Sequence, residues 1–334
     1  MTIGQALPDP FRDTFVAPIA ARAVAAAIEL GVLDALAAEP ATAGELAGRL
    51  GLDLVGMDAL ATALTSLGYL EQAGDGRLRP TLEAARLAVR GSPDSIATFA
   101  SGFARQHWDS LGDLEGALRG SPPAWHSREP DDPLWEPYIR GLFELSRDEH
   151  DANAALVPVE EPRRLLDLAG GHGAFAMAMC RRHPSLAATV LELPGAARVG
   201  SRIVAEEGMA DRVSIREGDL FEVDLGSGLD VVSTFNLLHH LPPEGVLELF
   251  RRARGALAAG GHLVVGDTDR PAPGEPVSQV GALTGLAFYA ESRSRTYELA
   301  EIVGWIDEAG FQAPDVHRNE SSPWRVVIVA RTPE

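Results

Sequence analysis

Residues 163–178 read RRLLDLAGGHGAFAMA, and this stretch decides the fold. Leu165, Leu166 and Leu168 form a short apolar run that predicts a buried strand, and the glycines after it predict a tight turn. Helical spacing resumes at Phe175, so the order is strand, turn and helix. A helix that begins beside exposed glycine backbone favours a ligand with nucleotide chemistry.

Composition excludes several classes of protein. The chain has 334 residues, which predicts two domains or one large domain with a substantial appendage. Hydrophobic residues make up 46% and charged residues 23%, a balance typical of a packed protein rather than a disordered one. The net charge is −19 and all 29 basic residues are arginines, which disfavours binding to nucleic acid or to an anionic membrane.

The single cysteine and the N-terminus bear on the compartment. Cys180 has no second cysteine to pair with, so an internal disulfide is excluded and a reducing cytoplasm fits. The first residues, MTIGQALPDPFRD, are polar and lack the apolar core of a secretion signal. No apolar run reaches the roughly 20 residues that span a bilayer, so we expect a cytoplasmic protein.

The first part of the chain predicts a helical domain. Residues 26–36 repeat apolar positions at helical spacing, and residues 57–67 do the same. Between them, Thr42 and Glu45 have the spacing of a capping box, and Gly51 is expected to end the helix that they begin. Two short strands around an Asp-Gly pair follow. Helices followed by such a hairpin predict a winged-helix domain.

A winged helix raises the possibility of a DNA-binding regulator. The candidate recognition helix speaks against it, because residues 52–71 contain no arginine or lysine, whereas Asp53 and Asp58 add negative charge. Alanine-rich helices can approach each other closely. We therefore predict that this domain pairs with its copy in a homodimer.

Residues 95–159 are helical with a break near residue 125 and are rich in aromatic residues. Helices between two domains commonly cover a cleft, and among these aromatics we take Trp108 and Phe143 as candidate substrate contacts. Trp125 belongs to the same group. The alternative is that such side chains are ordinary core residues.

The remainder alternates β-rich and helical runs, which predicts a parallel, doubly wound sheet and an α/β fold. Glu192 follows the second strand about 20 residues after the glycines, where an acidic side chain accepts hydrogen bonds from ribose hydroxyls. Asp219 closes the third strand and is placed to accept from an adenine amino group. Gly171, Gly173 and Ala176 also match the loose pattern of a dinucleotide-binding turn. The glycines alone therefore do not decide which kind of nucleotide ligand is bound.

Later motifs decide between them. The segments DLAGGHG, LELPG, GDLF, LLHHLPPE, GGHLVVGDT and RSRT occur in that order. In order and spacing they resemble the class I S-adenosylmethionine (SAM)-dependent methyltransferases, and more narrowly the small-molecule O-methyltransferases with an N-terminal winged-helix dimerisation domain. The resemblance covers nearly the whole chain. It implies a Rossmann-like SAM-binding domain at residues 160–334, a dimerisation domain at 1–94 and a helical connector lining the substrate cleft at 95–159.

The resemblance also implies roles for individual residues. His239 matches the family's general base, and Asp267 matches a carboxylate that orients the imidazole. A histidine suits removal of a hydroxyl proton near neutral pH. His240 joins Trp108 and Phe143 as a substrate contact. The cofactor-binding residues implied are Asp167, Ala169, Gly170, Gly171, Glu192, Asp219, Leu220 and Phe235.

The chain departs from the family pattern at four positions. Ala169 replaces a glycine, His240 an acidic residue, Leu241 a tryptophan and Ser294 a second acidic residue, so the plant-type catalytic set is incomplete. No metal is assigned to the favoured mechanism. The alternative is C-methylation of a 2-oxo acid with the help of a zinc or iron ion. Arg293 and Arg295 would then pair with the carboxylate of the acceptor. The candidate ligands of the metal ion are His239, His240, Asp267 and Glu291.

The sequence therefore predicts a SAM-dependent O-methyltransferase of secondary metabolism. The acceptor is expected to be a hydroxyl of a small aromatic or polyketide-like compound. Two alternatives stay open: the metal-assisted C-methyltransferase, and a SAM-binding family member with a non-methylating reaction.

Overall fold

The chain divides into two compact units between Gln106 and His107. The computed structural model describes residues 10–123, 129–319 and 322–334. The polar N-terminal residues 1–9 and Trp125, both used in the sequence argument, lie outside the described residues. The predicted division into 1–94, 95–159 and 160–334 stays a prediction.

The first unit is mainly helical. Its apolar core includes Ile28, Leu33, Leu46 and Leu64, each at most 1% exposed. Burying side chains of this size contributes roughly 1.5–3 kcal/mol each. The elements are α1 Phe11–Glu29, α2 Val32–Ala38, α3 Ala43–Leu50, α4 Leu54–Ser66, β1 Leu70–Gln72, β2 Leu78–Pro80, α5 Leu82–Leu87 and a turn of π-helix, Phe99–Phe103.

Both ends of α3 lie at the residues that the sequence predicted. Thr42 accepts a hydrogen bond from the backbone N–H of Glu45, whose side chain accepts from the N–H of Thr42, so the predicted capping box is confirmed. Gly51 ends α3 at a φ of 67°, as predicted. The prediction of one helix over residues 26–36 is wrong, because Gly31 adopts a φ of 72° and separates α1 from α2.

The predicted hairpin is confirmed. Strands β1 and β2 pair antiparallel, and the backbone N–H of Ala73 donates to the carbonyl of Arg77 at 2.8 Å across the turn. Gly76 in that turn has a φ of 83°, a conformation that glycine adopts without strain.

The second unit is an α/β structure, and α6, Ala104–Gly112, runs across the boundary between the units. Further helices and strands follow α6 along the chain. They are α7 Leu114–Leu118, α8 Trp135–Ala155, β3 Arg164–Leu168, α9 Ala174–Arg182, β4 Ala187–Glu192, α10 Pro194–Glu206, β5 Val213–Glu217, β6 Leu229–Phe235, a 3₁₀ turn Leu238–His240, α11 Pro243–Ala256, β7 Leu257–Arg270, α12 Gln279–Ser292, β8 Tyr297–Glu298, α13 Leu299–Glu308, β9 Asp315–Asn319 and β10 Ser322–Arg331.

The strands form one sheet in the order β5-β4-β3-β6-β7-β10-β9, with β8 pairing at the end of β7. Strands β3 to β7 are parallel, as predicted. The prediction that the last strand is also parallel is wrong, because β10 runs antiparallel to both β7 and β9. The short link from Asn319 to Ser322 can join only antiparallel neighbours.

This topology fixes the location of the site. Strands β3, β4 and β6 point their carboxyl ends toward the same edge of the sheet. The residues that follow those ends are Ala169, Leu193 and Asn236, so the predicted ligand residues cluster at one edge. In the described part of the chain no single helix is long and apolar enough to cross a membrane. Two consecutive helices joined at a bend, Asp13–Glu29 and Val32–Ala38, are long and apolar enough only when they are taken together.

Candidate functional site

The turn after β3 has glycines at positions 170, 171 and 173, and the carboxylate of Asp167 packs against it. Asp167, 1% exposed, accepts a hydrogen bond from the hydroxyl of Ser233 at 2.7 Å. A Cβ on Gly170 would lie 2.3 Å from Oδ2 of Asp167, so no larger residue fits there. Gly171 has a φ of 50° and Gly173 one of 72°. Burial raises the pKa of Asp167 to about 7, although the hydrogen bond from Ser233 lowers this pKa in part.

Ala169 occupies the strained position of this turn. Its φ is 52°, a left-handed conformation that costs an L-residue with a Cβ roughly 1–2 kcal/mol. Its backbone N–H donates to the carbonyl of Leu191 at 2.9 Å, so the conformation is held by the sheet. The departure from the family's glycine therefore carries a cost in backbone strain.

Replacing Ala169 with glycine should stabilise the protein. Relief of the strain exceeds the extra chain entropy of glycine by about 0.5–1 kcal/mol, so we expect a rise in Tm of about 1–3 °C. Thermal unfolding followed by circular dichroism measures it, with Ala178→Gly in the helix α9 as the matched control that lowers Tm. A drop in Tm for Ala169→Gly would contradict the strain argument.

Glu192 ends β4 beside the glycine turn. Its Oε2 accepts the backbone N–H of Gly171 at 3.0 Å, and its Oε1 accepts that of Leu193 at 2.7 Å. Burial raises the pKa of Glu192 to about 7, and the two backbone hydrogen bonds oppose that rise. A carboxylate held in this way next to glycine backbone is well placed to accept hydrogen bonds from a diol.

The other predicted cofactor residues lie in different surroundings. Asp219 is exposed, and its Oδ1 accepts the backbone N–H of Phe221 at 2.8 Å. Leu220 is half-buried and packs on the core beside the sheet. Phe235 is 8% exposed at the end of β6, with its ring centroid 4.6 Å from that of Phe175. Their contact with a cofactor stays a prediction.

His239 and Asp267 are paired. Nδ1 of His239 lies 2.7 Å from Oδ1 of Asp267, and both side chains are 2% exposed. Asp267 also accepts the backbone N–H groups of Thr268 and Leu238, each at 2.8 Å. Three donors thus fix the carboxylate, and the carboxylate fixes the imidazole with Nδ1 occupied and Nε2 left for another partner.

Two residues that sequence reasoning missed complete the surroundings of His239. The ring of Phe288 stacks on the imidazole with centroids 3.5 Å apart and planes 4° apart. The hydroxyl of Ser292 donates to the carbonyl oxygen of His239 at 3.1 Å. Both lie on α12, about 50 residues further along the chain, where no sequence motif pointed to them.

The three predicted substrate contacts differ in exposure. The ring of His240 is half-buried, with its centroid 4.3 Å from that of His239. Trp108 on α6 is 48% exposed. Phe143 on α8 is 8% exposed and faces His172 of the glycine turn, with ring centroids 5.8 Å apart. Burial lowers the pKa of His172 to about 4, so this imidazole is neutral at physiological pH.

The metal alternative finds no support in the geometry. In residues 10–123, 129–319 and 322–334, no group of three or more His, Cys, Asp or Glu side chains is arranged to hold a metal ion. Arg293 is turned toward protein carbonyls, including that of Ser121 at 2.7 Å. Arg295 pairs with Glu301 at 2.7 Å. Both guanidinium groups thus have protein partners, and their pairing with an acceptor carboxylate stays a prediction of the C-methylation alternative.

Comparison with known families gives two matches. A family model described as an O-methyltransferase domain matches residues 118–312, and one described as an O-methyltransferase dimerisation domain matches residues 14–90. Together they cover most of the chain in the predicted order.

Two curated relatives and one solved structure are similar to this chain over most of its length. The 3-hydroxy-5-methyl-1-naphthoate 3-O-methyltransferase of Streptomyces sahachiroi is 32% identical over 295 residues, 85% of this chain and 84% of the relative. Aclacinomycin 10-hydroxylase RdmB of Streptomyces purpurascens is 33% identical over 265 residues, 75% of this chain and 70% of the relative. The solved structure of human N-acetylserotonin methyltransferase in complex with SAM is 19% identical, with a TM-score of 0.86 over 98% of this chain and 99% of that chain. The predicted fold class and the resemblance are confirmed.

Proposed function

Since this chain belongs to the family of O-methyltransferases that carry an N-terminal dimerisation domain, we propose that it methylates a hydroxyl of a small aromatic or polyketide-like natural product, with His239 as general base. The cofactor is SAM, which supplies an electrophilic methyl group on a sulfonium when it is bound. The observation that carries the proposal is the His239–Asp267 pair, buried at the sheet edge where the glycine turn and Glu192 also lie.

The residues at this edge fit SAM. Gly171 has a φ of 50°, which glycine adopts without strain, and its backbone N–H is held by Glu192, whose carboxylate oxygens are suited to ribose hydroxyls. Asp219 and Leu220, after β5, are proposed to contact the adenine, and Phe235 to cover the cofactor at the end of β6.

The chain's own residues then have two tasks. The first is to hold the acceptor hydroxyl in line with the methyl group, since methyl transfer is a displacement that depends on alignment. The second is to remove the hydroxyl proton as the oxygen attacks, and Nε2 of His239 is proposed to take it. Asp267 holds Nδ1 and stabilises the imidazolium that results, while Phe288 keeps the ring plane fixed.

Affinity for SAM should fall as the pH falls through 7. The ribose hydroxyls need an ionised carboxylate, and burial raises the pKa of Glu192 to about 7 in the free protein. Protonation below this value competes with binding, so we expect the Kd to rise about tenfold between pH 8 and pH 6. Titration calorimetry measures the Kd. Glu192→Gln should bind more weakly at pH 8 and show a shallower profile than wild type, since Asp167, whose pKa burial also raises to about 7, remains. A profile that stays equally steep in this variant would assign the pH dependence to another group.

A screen of candidate acceptors tests the activity itself. Phenols and 2-oxo acids are incubated with the protein and SAM, with and without a chelator, and the products are analysed by mass spectrometry. We expect a methyl gain on phenolic oxygen that the chelator does not change. Transfer to carbon of a 2-oxo acid, lost with chelator, would instead support the C-methyltransferase.

A second candidate function deserves the same assay, because the 33% identical relative is described as a hydroxylase. A non-methylating reaction would leave SAM intact after turnover. Formation of S-adenosylhomocysteine in step with product separates the two.

We also propose that the N-terminal domain pairs in a homodimer and that the protein works in the cytoplasm in secondary metabolism. On α1 the side chains of Phe15, Val16 and Ile19 are 58%, 42% and 65% exposed, an apolar surface that a second copy would cover. The helices and hairpin of this unit are proposed to form a winged helix used for pairing. Light scattering that finds a monomer at micromolar concentration would contradict the dimer.

A further inference from the structure

A groove of about 360 Å³ lies at the amino ends of the strands, within the second unit. Its lining includes the first residues of four neighbouring strands: Arg164 of β3, Ala187 of β4, Val213 of β5 and Leu229 of β6. Glu192 ends β4 at the other edge of the sheet, so roughly 16 Å of strand separates the groove from the proposed SAM site. The groove is therefore a separate site.

The groove exists because the link from β5 to β6 contains no helix. Residues 218–228 form neither helix nor strand, whereas the links from β3 to β4 and from β4 to β5 each form a helix. A helix in such a link normally covers the face of a parallel sheet. Here Leu225 of the link packs into the same core as Leu166 of β3, and both side chains also line the groove. The groove thus has an apolar surface.

Polar side chains lie beside this apolar surface. Thr189 and Ser214 face each other in the parallel pairing of β4 and β5, with their hydroxyl oxygens 3.2 Å apart. Both residues line the groove. Each hydroxyl has one hydrogen to donate and lone pairs to accept, so the pair can also donate to a bound anion.

Three arginines, Arg164, Arg212 and Arg216, line the same groove. Within residues 10–123, 129–319 and 322–334, no carboxylate oxygen lies within 4.0 Å of their guanidinium nitrogens. Each of them donates hydrogen bonds to backbone carbonyls through Nη2 alone, so its Nε and Nη1 face no acceptor in this part of the chain. The carbonyls belong to Gly228 for Arg164, to His183 and Leu186 for Arg212, and to Asp224 for Arg216.

The charge of the groove is opposite to that of the whole chain. Among the described lining residues Asp211 alone is acidic, so three positive charges face one negative charge. The whole chain has a net charge of −19. A guanidinium presents N–H groups in a planar fork that matches the oxygens of a phosphate, and a volume above about 300 Å³ is enough for a small molecule.

We propose that this groove binds a small organic phosphate. Its phosphate oxygens accept hydrogen bonds from Arg212, Arg216 and the hydroxyl of Ser214, and its organic part lies on the apolar surface formed by Leu166 and Leu225. This ligand is distinct from both SAM and the methyl acceptor. The inference does not depend on the proposed reaction, because none of these residues has a part in it.

The experiment measures the binding of three probes by titration calorimetry. They are hexyl phosphate, inorganic phosphate and hexanol, so that the phosphate and the apolar chain are tested apart and together. The full-length protein is first saturated with S-adenosylhomocysteine, which fills the SAM site. The variants are Arg212→Gln, Arg216→Gln and the matched control Arg254→Gln. Arg254 lies on α11, outside the groove, and its Nε also donates to a backbone carbonyl, that of Gly310.

We expect wild type to bind hexyl phosphate at least about tenfold more tightly than either partial probe, since only this probe uses both the arginines and the apolar surface. Arg212→Gln and Arg216→Gln should each raise the Kd for hexyl phosphate about tenfold or more, because a charge-assisted hydrogen bond is lost. Arg254→Gln removes the same charge from another surface and should change this Kd less than about twofold.

Three outcomes would overturn the inference. Equal affinities of wild type for hexyl phosphate and hexanol would mean that the phosphate is not recognised. A wild-type Kd in Arg216→Gln would place the probe outside the groove, and an equal loss in Arg254→Gln would leave only an effect of net charge. If Arg212→Gln does not fold, because it loses its hydrogen bonds to two carbonyls before β4, Arg216→Gln still decides, since it changes an exposed residue.

Discussion

Replacing His239 with alanine should lower kcat for methyl transfer by about 10²–10⁴-fold, the range typical for loss of a general base. The affinity for SAM should not change. The imidazole lies at the 3₁₀ turn after β6, held through Nδ1 by Asp267 at 2.7 Å, and the proposed cofactor contacts are made by the glycine turn and Glu192 instead. Single-turnover rates measure the chemical step, and calorimetry measures the affinity.

The matched control is His317→Ala, a histidine on β9 outside the site. It should keep both wild-type kcat and wild-type affinity. Because a fixed acceptor hydroxyl with a low pKa needs less help from a base, the drop for His239→Ala should grow with the pKa of the phenol used. Unchanged turnover with a weakly acidic phenol would remove the general-base role.

Replacing Glu192 with alanine should weaken SAM binding by about 10²–10⁴-fold. Two charge-assisted hydrogen bonds to the ribose are lost, each worth about 1.5–3 kcal/mol. The backbone N–H groups of Gly171 and Leu193 lose their acceptor as well, so the glycine turn is less well fixed. Titration calorimetry at pH 8, where the carboxylate is ionised, gives the affinity.

Glu217 provides the control for this variant. It is the residue opposite Glu192 in the parallel pairing of β4 and β5, and it is exposed. Glu217→Ala removes the same charge from the same sheet edge and should change SAM affinity less than about threefold. Equal effects of the two substitutions would mean that only the overall charge matters, and Glu192 would lose its assignment.

Elements set by short-range rules could be predicted from the sequence. Thr42 and Glu45 form their capping box because both partners lie within one helical turn. The strand that contains Asp167 and the helix after Gly173 follow from an apolar run interrupted by glycines. In both cases the residues that decide the structure are neighbours in the chain.

Errors arose where a local pattern had two solutions. The spacing over residues 26–36 suits one helix or two, and only the packing of the first unit selects the break at Gly31. The apolar pattern of β10 is compatible with a parallel or an antiparallel strand. Its antiparallel direction follows from its short link to β9.

Some residues of the candidate site could be predicted from the sequence and others could not. His239 and Asp267 could be named in advance because the family resemblance supplied them, and the structure gives their distance. Phe288 and Ser292 could not, because their contacts join α12 to a turn about 50 residues earlier in the chain and no motif marks them. Such contacts depend on where α12 lies in the fold.

A crystal structure with S-adenosylhomocysteine and a methyl acceptor bound would locate both molecules relative to Glu192 and His239. We expect both ribose hydroxyls on the carboxylate of Glu192 and the acceptor hydroxyl about 3 Å from Nε2 of His239. A cofactor bound away from the glycine turn, or an acceptor oxygen beyond hydrogen-bond reach of His239, would contradict it.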